Sequence, residues 1–262
     1  MVKFFTNPTG LRVRLKYIVV NPVTEGLHIR YIVGNRDWIR EILIDTGVDY
    51  LFNMIGYRDY PRWWINKYIM FIRRIEQLVQ GTDIKLFATI PDIPADYRGR
   101  EKLYPWNVHR TIEYIQYFMH NIIPLFNNIE WIAPIQGRRD DILSVVRTYT
   151  ENIDLYKNFR YVAIAPTCTT RKYRLLSELI LRMDNVIRYY NIDQKYHVFG
   201  PSLKTIRIVY GKAVNMYSFD STAYYFFNDK KTSSPQERTL ALLHYCRKLK
   251  EIGIDHGVIN CE

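Results

Sequence analysis

The chain has 262 residues, 48% hydrophobic and 24% charged, which suffices for one large domain with a full core and excludes a disordered or low-complexity protein. Its 37 Lys and Arg against 26 Asp and Glu leave a formal charge of +11, so a polyanionic partner is the first functional expectation. No apolar run approaches the ~20 residues of a membrane span, and the opening MVKFFTNPTGLRVRLKY lacks a signal peptide's apolar block; the expectation is a soluble, intracellular protein with no membrane partner.

Residues 1–36 alternate apolar and polar in LRVRLKYIVV and again in LHIRYIV, either side of the turn-rich NPVTEG, which predicts an N-terminal antiparallel hairpin. Glu41–Ile44 then reads as a short buried strand ending in Asp45-Thr46-Gly47. A long helical pattern follows over Pro61–Gln80, with Pro61 at its first turn. From there the order is regular. Strand Ile84–Thr89 ends in Pro91-Asp92 and leads to helix Trp106–Ile122; strand Trp131–Ile135 ends in Gln136-Gly137 and leads to helix Asp140–Tyr149. Strand Tyr161–Ala165 leads to helix Arg171–Tyr190, strand Tyr196–Phe199 to helix Ser202–Tyr210 through Gly200-Pro201, and strand Val214–Phe219 to helix Pro235–Glu251.

Repeated strand-then-helix units require parallel strands with right-handed crossovers. Six units are clear, and either the hairpin or the tail Ile254–Asn260 completes eight. With no Gly-rich phosphate fingerprint after any strand, the fold class is α/β and the architecture a (β/α)8 TIM-type barrel, a single domain over 1–262 with the 1–36 hairpin as an extension. In such a barrel the carboxyl ends of the strands carry the chemistry, so Asp45, Asp92, Gln136, Gly200 and Asp220 would face one mouth. Carboxylates held close there raise at least one pKa, which separates a nucleophile from a proton donor. Each also has an ordinary structural role open to it: Asp220, with Ser221 and Thr222, suits a helix N-cap, and Asp45 and Asp92 suit turns.

The strand-end residues resemble those of the tRNA-guanine transglycosylases, and more closely their DNA-modifying, 7-deazaguanine-inserting relatives (DpdA-like). Ile44-Asp45-Thr46-Gly47-Val48-Asp49-Tyr50 is similar to the family's T-D-S-G-G-[FY]-Q segment, Gly81-Thr82-Asp83-Ile84 running on to Pro91-Asp92 to its G-S-D strand and the loop beyond, Ile135-Gln136-Gly137 to V-Q-G, Phe199-Gly200 to a glycine loop, and Phe219-Asp220-Ser221 to F-D-[CS]. These segments come in family order across most of the chain. The departures are Val48 and Asp49 in the first segment, and Ala163-Ile164-Ala165-Pro166 where the family carries a glycine pair.

The resemblance implies a base exchange in nucleic acid, with Asp220 as nucleophile on the anomeric carbon of a flipped nucleotide and Asp92 managing protons on the leaving and entering purines. It also implies base recognition by Asp45, Gln136, Gly137 and Gly200, with Tyr97 the candidate for stacking on the base. Arg138, Arg139, Arg171 and Lys172, on loops after predicted strands, would bind phosphates without reading sequence. The family's C-x-C-x-x-C…H zinc module has no counterpart: beyond the nucleophile strand lie Cys246, His256 and Cys261, too sparse for a structural site, and Cys246 continues a helical apolar stripe with Leu240, Leu243 and Leu249. Cys168, the remaining cysteine, is far from both others, so no disulfide framework is expected. The expectations are therefore no metal, no cofactor, DNA favoured over tRNA, and a 7-deazaguanine-type free base as second substrate. A hydrolytic glycosylase on the same acids and a non-catalytic nucleic-acid-binding module remain open; only the second could dispense with both Asp92 and Asp220.

Overall fold

Short apolar runs bounded by Gly, Pro, Asn and Asp cannot bury both faces alone, and here they do so by closing on one another beneath a layer of helices. The computed structural model describes residues 1–94, 101–138, 141–165, 167, 172–222, 224, 226–227, 230–231 and 234–259. Among these, eight parallel strands form one sheet: β1 (Lys3–Phe5), β2 (Tyr17–Val20), β3 (Glu41–Ile44), β4 (Lys85–Thr89), β5 (Ile129–Ile135), β6 (Tyr161–Ile164), β7 (Lys195–Val198) and β8 (Met216–Asp220). They run in the order β1-β8-β7-β6-β5-β4-β3-β2. The two ends meet through a parallel bridge between Thr6 and Ile18, where the Val19 N–H donates to the Thr6 carbonyl at 3.0 Å and the Thr6 N–H to the Tyr17 carbonyl at 3.2 Å. The result is a (β/α)8-type barrel.

The helices are α1 (Glu25–Asn35), α2 (Arg62–Val79), α3 (Trp106–Asn121), α4 (Ile142–Glu151) with the short α5 (Ile153–Tyr156), α6 (Tyr173–Tyr189), α7 (Leu203–Val209) and α8 (Pro235–Lys250). Their positions follow local chemistry. In α2 the buried residues Trp64, Ile65, Tyr68, Phe71, Ile72, Ile75 and Val79 recur at helical spacing and face the sheet. For α8, Ser234 and Glu237 form a capping box with Pro235 at the first position. Cys246 lies fully buried on the inner face of α8, packed as its place in the apolar stripe implies. No described helix is long and apolar enough to cross a membrane.

The predicted N-terminal hairpin is not formed. Residues 1–36 supply two parallel barrel strands, β1 and β2, and the helix α1. NPVTEG is a helix start: the Asn21 side chain accepts from the Val23 N–H at 3.1 Å, Pro22 opens a 3₁₀ turn, and Glu25 begins α1. The five alternating residues LHIRY mimic a strand, but His28 and Ile32, four apart, are the buried pair, which is one helical face. The tail lies against the amino-terminal end of β1: the Phe4 N–H donates to the Asp255 carbonyl at 2.9 Å and the Asp255 N–H to the Val2 carbonyl at 3.2 Å.

Inside the barrel, Phe5, Val19, Leu43, Phe87, Ile132 and Ala163 fill the waist. Below them is a polar floor. Lys3 of β1 is ion-paired with Glu41 of β3, and the Tyr217 hydroxyl lies 2.8 and 2.9 Å from the two Glu41 carboxylate oxygens. The Lys3 ammonium also sits 4.4 Å from the Tyr217 ring centroid, and the Tyr17 hydroxyl donates to Asp255 at 2.5 Å. Burial, and then the neighbouring carboxylate, push both phenols well above their usual range, so each stays a hydrogen-bond donor. Glu41 is 5% exposed. Removing it in Glu41→Ala leaves a largely enclosed ammonium unpaired and is expected to cost about 3 kcal/mol, the low end for a buried pair because Lys3 keeps some solvent; urea unfolding of variant and wild type measures it.

Candidate active site

Five strand-to-helix connections bring polar groups to the carboxyl-terminal mouth, and the outer helices hold those connections in place. The Tyr68 hydroxyl, reaching in from α2, bridges the carbonyls of Ile44 (3.0 Å) and Thr89 (2.7 Å), the last residues of β3 and β4. Trp64 Nε1 donates to the Thr46 carbonyl at 2.9 Å, and the Tyr156 hydroxyl donates to the Pro134 carbonyl of β5 at 3.0 Å. Three buried side chains thus set the exits of the strands that lead to Asp45, Asp92 and Gln136.

Asp45 sits just past β3, half-buried, with Oδ2 accepting the Gly47 N–H at 3.1 Å. The turn role foreseen for it is therefore real. It needs a glycine, because Gly47 has φ +75° and a Cβ there would come within 2.9 Å of Val23 Cγ2. Desolvation, and then the charges of Asp220 and Asp49, outweigh the Gly47 and Thr46 N–H groups and raise the Asp45 pKa from 3.8 to about 6. Asp49, one of the two departures from the resembled segment, adds the smallest part of that rise through its charge.

Asp92 follows β4 and accepts a short hydrogen bond from Gln136 Nε2, which arrives from the end of β5. Gln136 is fully buried, and among the described residues its Oε1 has no hydrogen-bond partner. A buried amide with one end committed to a carboxylate and an unused acceptor at the other is an unmet requirement for a donor. Gly137 is fixed by packing: a Cβ would fall 2.6 Å from Val145 Cγ2 and 2.9 Å from both Ser144 Oγ and the Val145 nitrogen, so the close approach of α4 depends on its absence.

Asp220 ends β8, and a bulge decides which way it points. Tyr196 pairs with Met216 but the next residue, His197, pairs with Ser218, leaving Tyr217 as the extra residue. Tyr217 and Ser218 consequently both face inward, Phe219 turns outward to pack on Phe4 at 5.2 Å between ring centroids, and Asp220 returns to the interior. With strict alternation after Tyr217, Asp220 would have pointed at the helices. Asp220 is not the helix cap that its neighbours Ser221 and Thr222 allowed. Its Oδ1 instead lies 3.2 Å from His197 Nε2 and 3.3 Å from the Gly200 nitrogen, which also donates to the Asp220 carbonyl at 3.0 Å. Gly200, at φ +60°, makes the turn that aims its N–H there.

The structure therefore gathers Asp45, Asp92, Gln136, Gly200 and Asp220 at one end of the barrel. Arg138 and Lys172 are exposed on the connections after β5 and β6, on the same side. Tyr97, Arg139 and Arg171 lie outside the described residues, as do Cys168 and Cys261. Not all of the basic surface lies at the mouth: Arg36 and Arg40 belong to the opposite end, between the last turn of α1 and the start of β3, where Arg36 Nη2 donates to the Gln80 carbonyl at 2.9 Å. Sequence reasoning missed His197 and Ser218, whose Nδ1 and Oγ are 2.9 Å apart beneath Asp220. Period-2 counting back from Phe199 could have placed His197 inward, but the bulge that sets Ser218 beside it has no sequence signature.

No family model matches the chain, and no curated protein matches it.

The raised Asp45 pKa gives a signed expectation for stability. Between about 4 and about 6 the folded state holds a proton that the unfolded chain has released, so stability falls as pH rises through that window, by on the order of 3 kcal/mol in total. Asp45→Asn is expected to flatten this decline. Urea midpoints at several pH values for both proteins check it, and an equal slope in the variant would remove Asp45 as its source.

Proposed function

We propose that this protein is a nucleic-acid guanine transglycosylase, exchanging guanine for a 7-deazaguanine base, in DNA rather than tRNA, through a covalent Asp220–nucleotide ester. The observation that carries the reading is the sharing of one barrel mouth by three carboxylates in three different environments: Asp220 held on one oxygen, Asp92 bonded to the buried Gln136 amide, and Asp45 with its proton affinity raised in part by Asp220. Groups of like charge kept together and differentiated in this way suit a reaction that needs an anion beside an oxocarbenium-like carbon and a proton carrier beside a purine.

In the first half-reaction an Asp220 oxygen forms a bond to C1′ as the C1′–N9 bond breaks, and its electron pair leaves on guanine, which takes a proton from the Asp92 carboxylic acid. In the second, the incoming 7-deazaguanine gives its ring N–H proton back to the Asp92 carboxylate, and that nitrogen displaces Asp220 from C1′. Protons and charge balance over the cycle. Gln136 Oε1, the acceptor left open, suits an N–H on the edge of a purine seated in the mouth. Arg138 and Lys172, exposed on the connections after β5 and β6, would meet the phosphates of an extruded nucleotide. DNA is favoured in this reading because Cys246 and Cys261 are the only cysteines beyond the nucleophile strand, too few for the tRNA enzymes' zinc module, and Cys246 is packed in the core.

The test is incubation with DNA or tRNA and a labelled 7-deazaguanine-type base, followed by digestion to nucleosides and mass analysis. Label in DNA is expected; guanine released with no label incorporated would favour the hydrolytic alternative, and label in tRNA alone would overturn the polymer preference. Asp220→Asn should fold, trap no adduct and lose at least roughly 10³-fold in rate, whereas Asp92→Asn should lose turnover while still binding DNA.

Binding itself should be dominated by phosphate contacts, given the +11 charge. The logarithm of affinity is expected to fall linearly with the logarithm of salt, by about 0.9 per phosphate neutralised on duplex and about 0.7 on single strands. A flat titration would exclude nucleic acid and point to a free nucleoside as substrate.

A further inference from the structure

We propose that His197 is the positioning residue of Asp220: with the Gly200 N–H it holds one carboxylate oxygen, Oδ1, so that Oδ2 is the oxygen that bonds to substrate. The identity of that bond rests on the transglycosylase reading, whereas the positioning itself does not.

His197 is 2% exposed, on β7 inside the barrel. Its ring meets Phe199 edge-on at 4.7 Å and Phe5 at 6.2 Å between centroids, so packing on two sides limits its rotation. One ring nitrogen, Nδ1, is 2.9 Å from Ser218 Oγ, and the other, Nε2, is 3.2 Å from Asp220 Oδ1. An ionised carboxylate only accepts, so the nitrogen that faces it must carry a hydrogen. Ser218 makes this possible in either charge state, because its hydroxyl can donate to a bare Nδ1 or accept from a protonated one. The carboxylate thus calls for the hydrogen on Nε2, and Ser218, turned inward by the β8 bulge, accommodates it at Nδ1.

Two donors converge on Oδ1, the Nε2–H at 3.2 Å and the Gly200 N–H at 3.3 Å, one from the strand and one from the turn beyond it. Among the described residues no donor approaches Oδ2. The donors limit the rotation of the carboxylate and draw charge toward Oδ1, while the lone pairs of Oδ2 stay uncommitted to any donor among the described residues. It is the Oδ2 pair that forms the C1′–O bond as the C1′–N9 bond breaks toward the purine. Asp45 and Asp220 also act on each other through their charges, so the repulsion between them is one more reason for Asp220 to be anchored.

The decisive variants are His197→Leu, which removes the donor, and His197→Gln, whose amide nitrogen can reach the same oxygen. With labelled base and DNA, His197→Leu is expected to lower kcat roughly 10- to 100-fold with KM held within about twofold, and His197→Gln to recover most of the loss. Equal loss in two folded variants would overturn the proposal, because a packing role alone does not distinguish them by a donor. Nitrogen-15 spectra of the wild-type ring supply a readout independent of turnover: hydrogen on Nε2 is expected, and a bare Nε2 overturns the proposal. Should His197→Leu not fold, the wild-type spectrum decides alone. If no base is exchanged by the wild type, the transglycosylase reading falls while the ring nitrogens still report whether His197 holds Asp220.

Discussion

Closure of the barrel through β1 is the constraint on which the remaining geometry depends. Three residues, Lys3–Phe5, must pair with β8 on one side and reach β2 on the other, because a parallel sheet left open there would expose unpaired N–H and C=O groups along both edges. β1 is too short to do this on backbone bonds alone. The Lys3–Glu41 pair reaches past β2 to β3, Tyr217 joins it from β8, and the Asp255 backbone clips the start of the strand. The same arrangement forces the β8 bulge: Tyr217 is needed on the floor, Ser218 and Asp220 are needed above it, and an inward run of that pattern is possible only with one residue out of phase.

The mouth is where the fold tolerates electrostatic cost. Asp45 is held partly out of water near Asp220, an arrangement that raises its pKa and weakens the folded state near neutrality. Gln136 is buried with an acceptor unmet. Neither would persist in a region selected for stability alone, and both lie where rigid supports are concentrated, beneath Tyr68, Trp64 and Tyr156. The floor shows the contrasting solution. There the charges are of opposite sign, the phenols remain protonated, and the hydrogen bonds are made.

Much of the barrel was legible because long amphipathic helices and short apolar strands announce themselves by period. Each barrel strand from Glu41–Ile44 onward, and each helix from Arg62–Val79 onward except the short α5, falls within a few residues of its expected place. Residues 1–36 were not legible in this way, since the alternating LHIRY fits a strand as well as one helical face. Only the helix start at Asn21-Pro22, misread as a turn, distinguished them. For the site, the strand-end rule located Asp45, Asp92, Gln136, Gly200 and Asp220 together, but it said nothing of how each is held.

By itself the sequence determined the class of the fold, the end of the barrel at which polar strand-end residues collect, and the basic surface, because these follow from hydrophobic period, turn chemistry and charge, all local or additive properties. Tertiary structure alone decided which way Asp220 faces, that Gln136 meets Asp92, and that His197 and Ser218 stand behind Asp220. Those depend on register between strands far apart in sequence, where one bulged residue reverses every side chain that follows it.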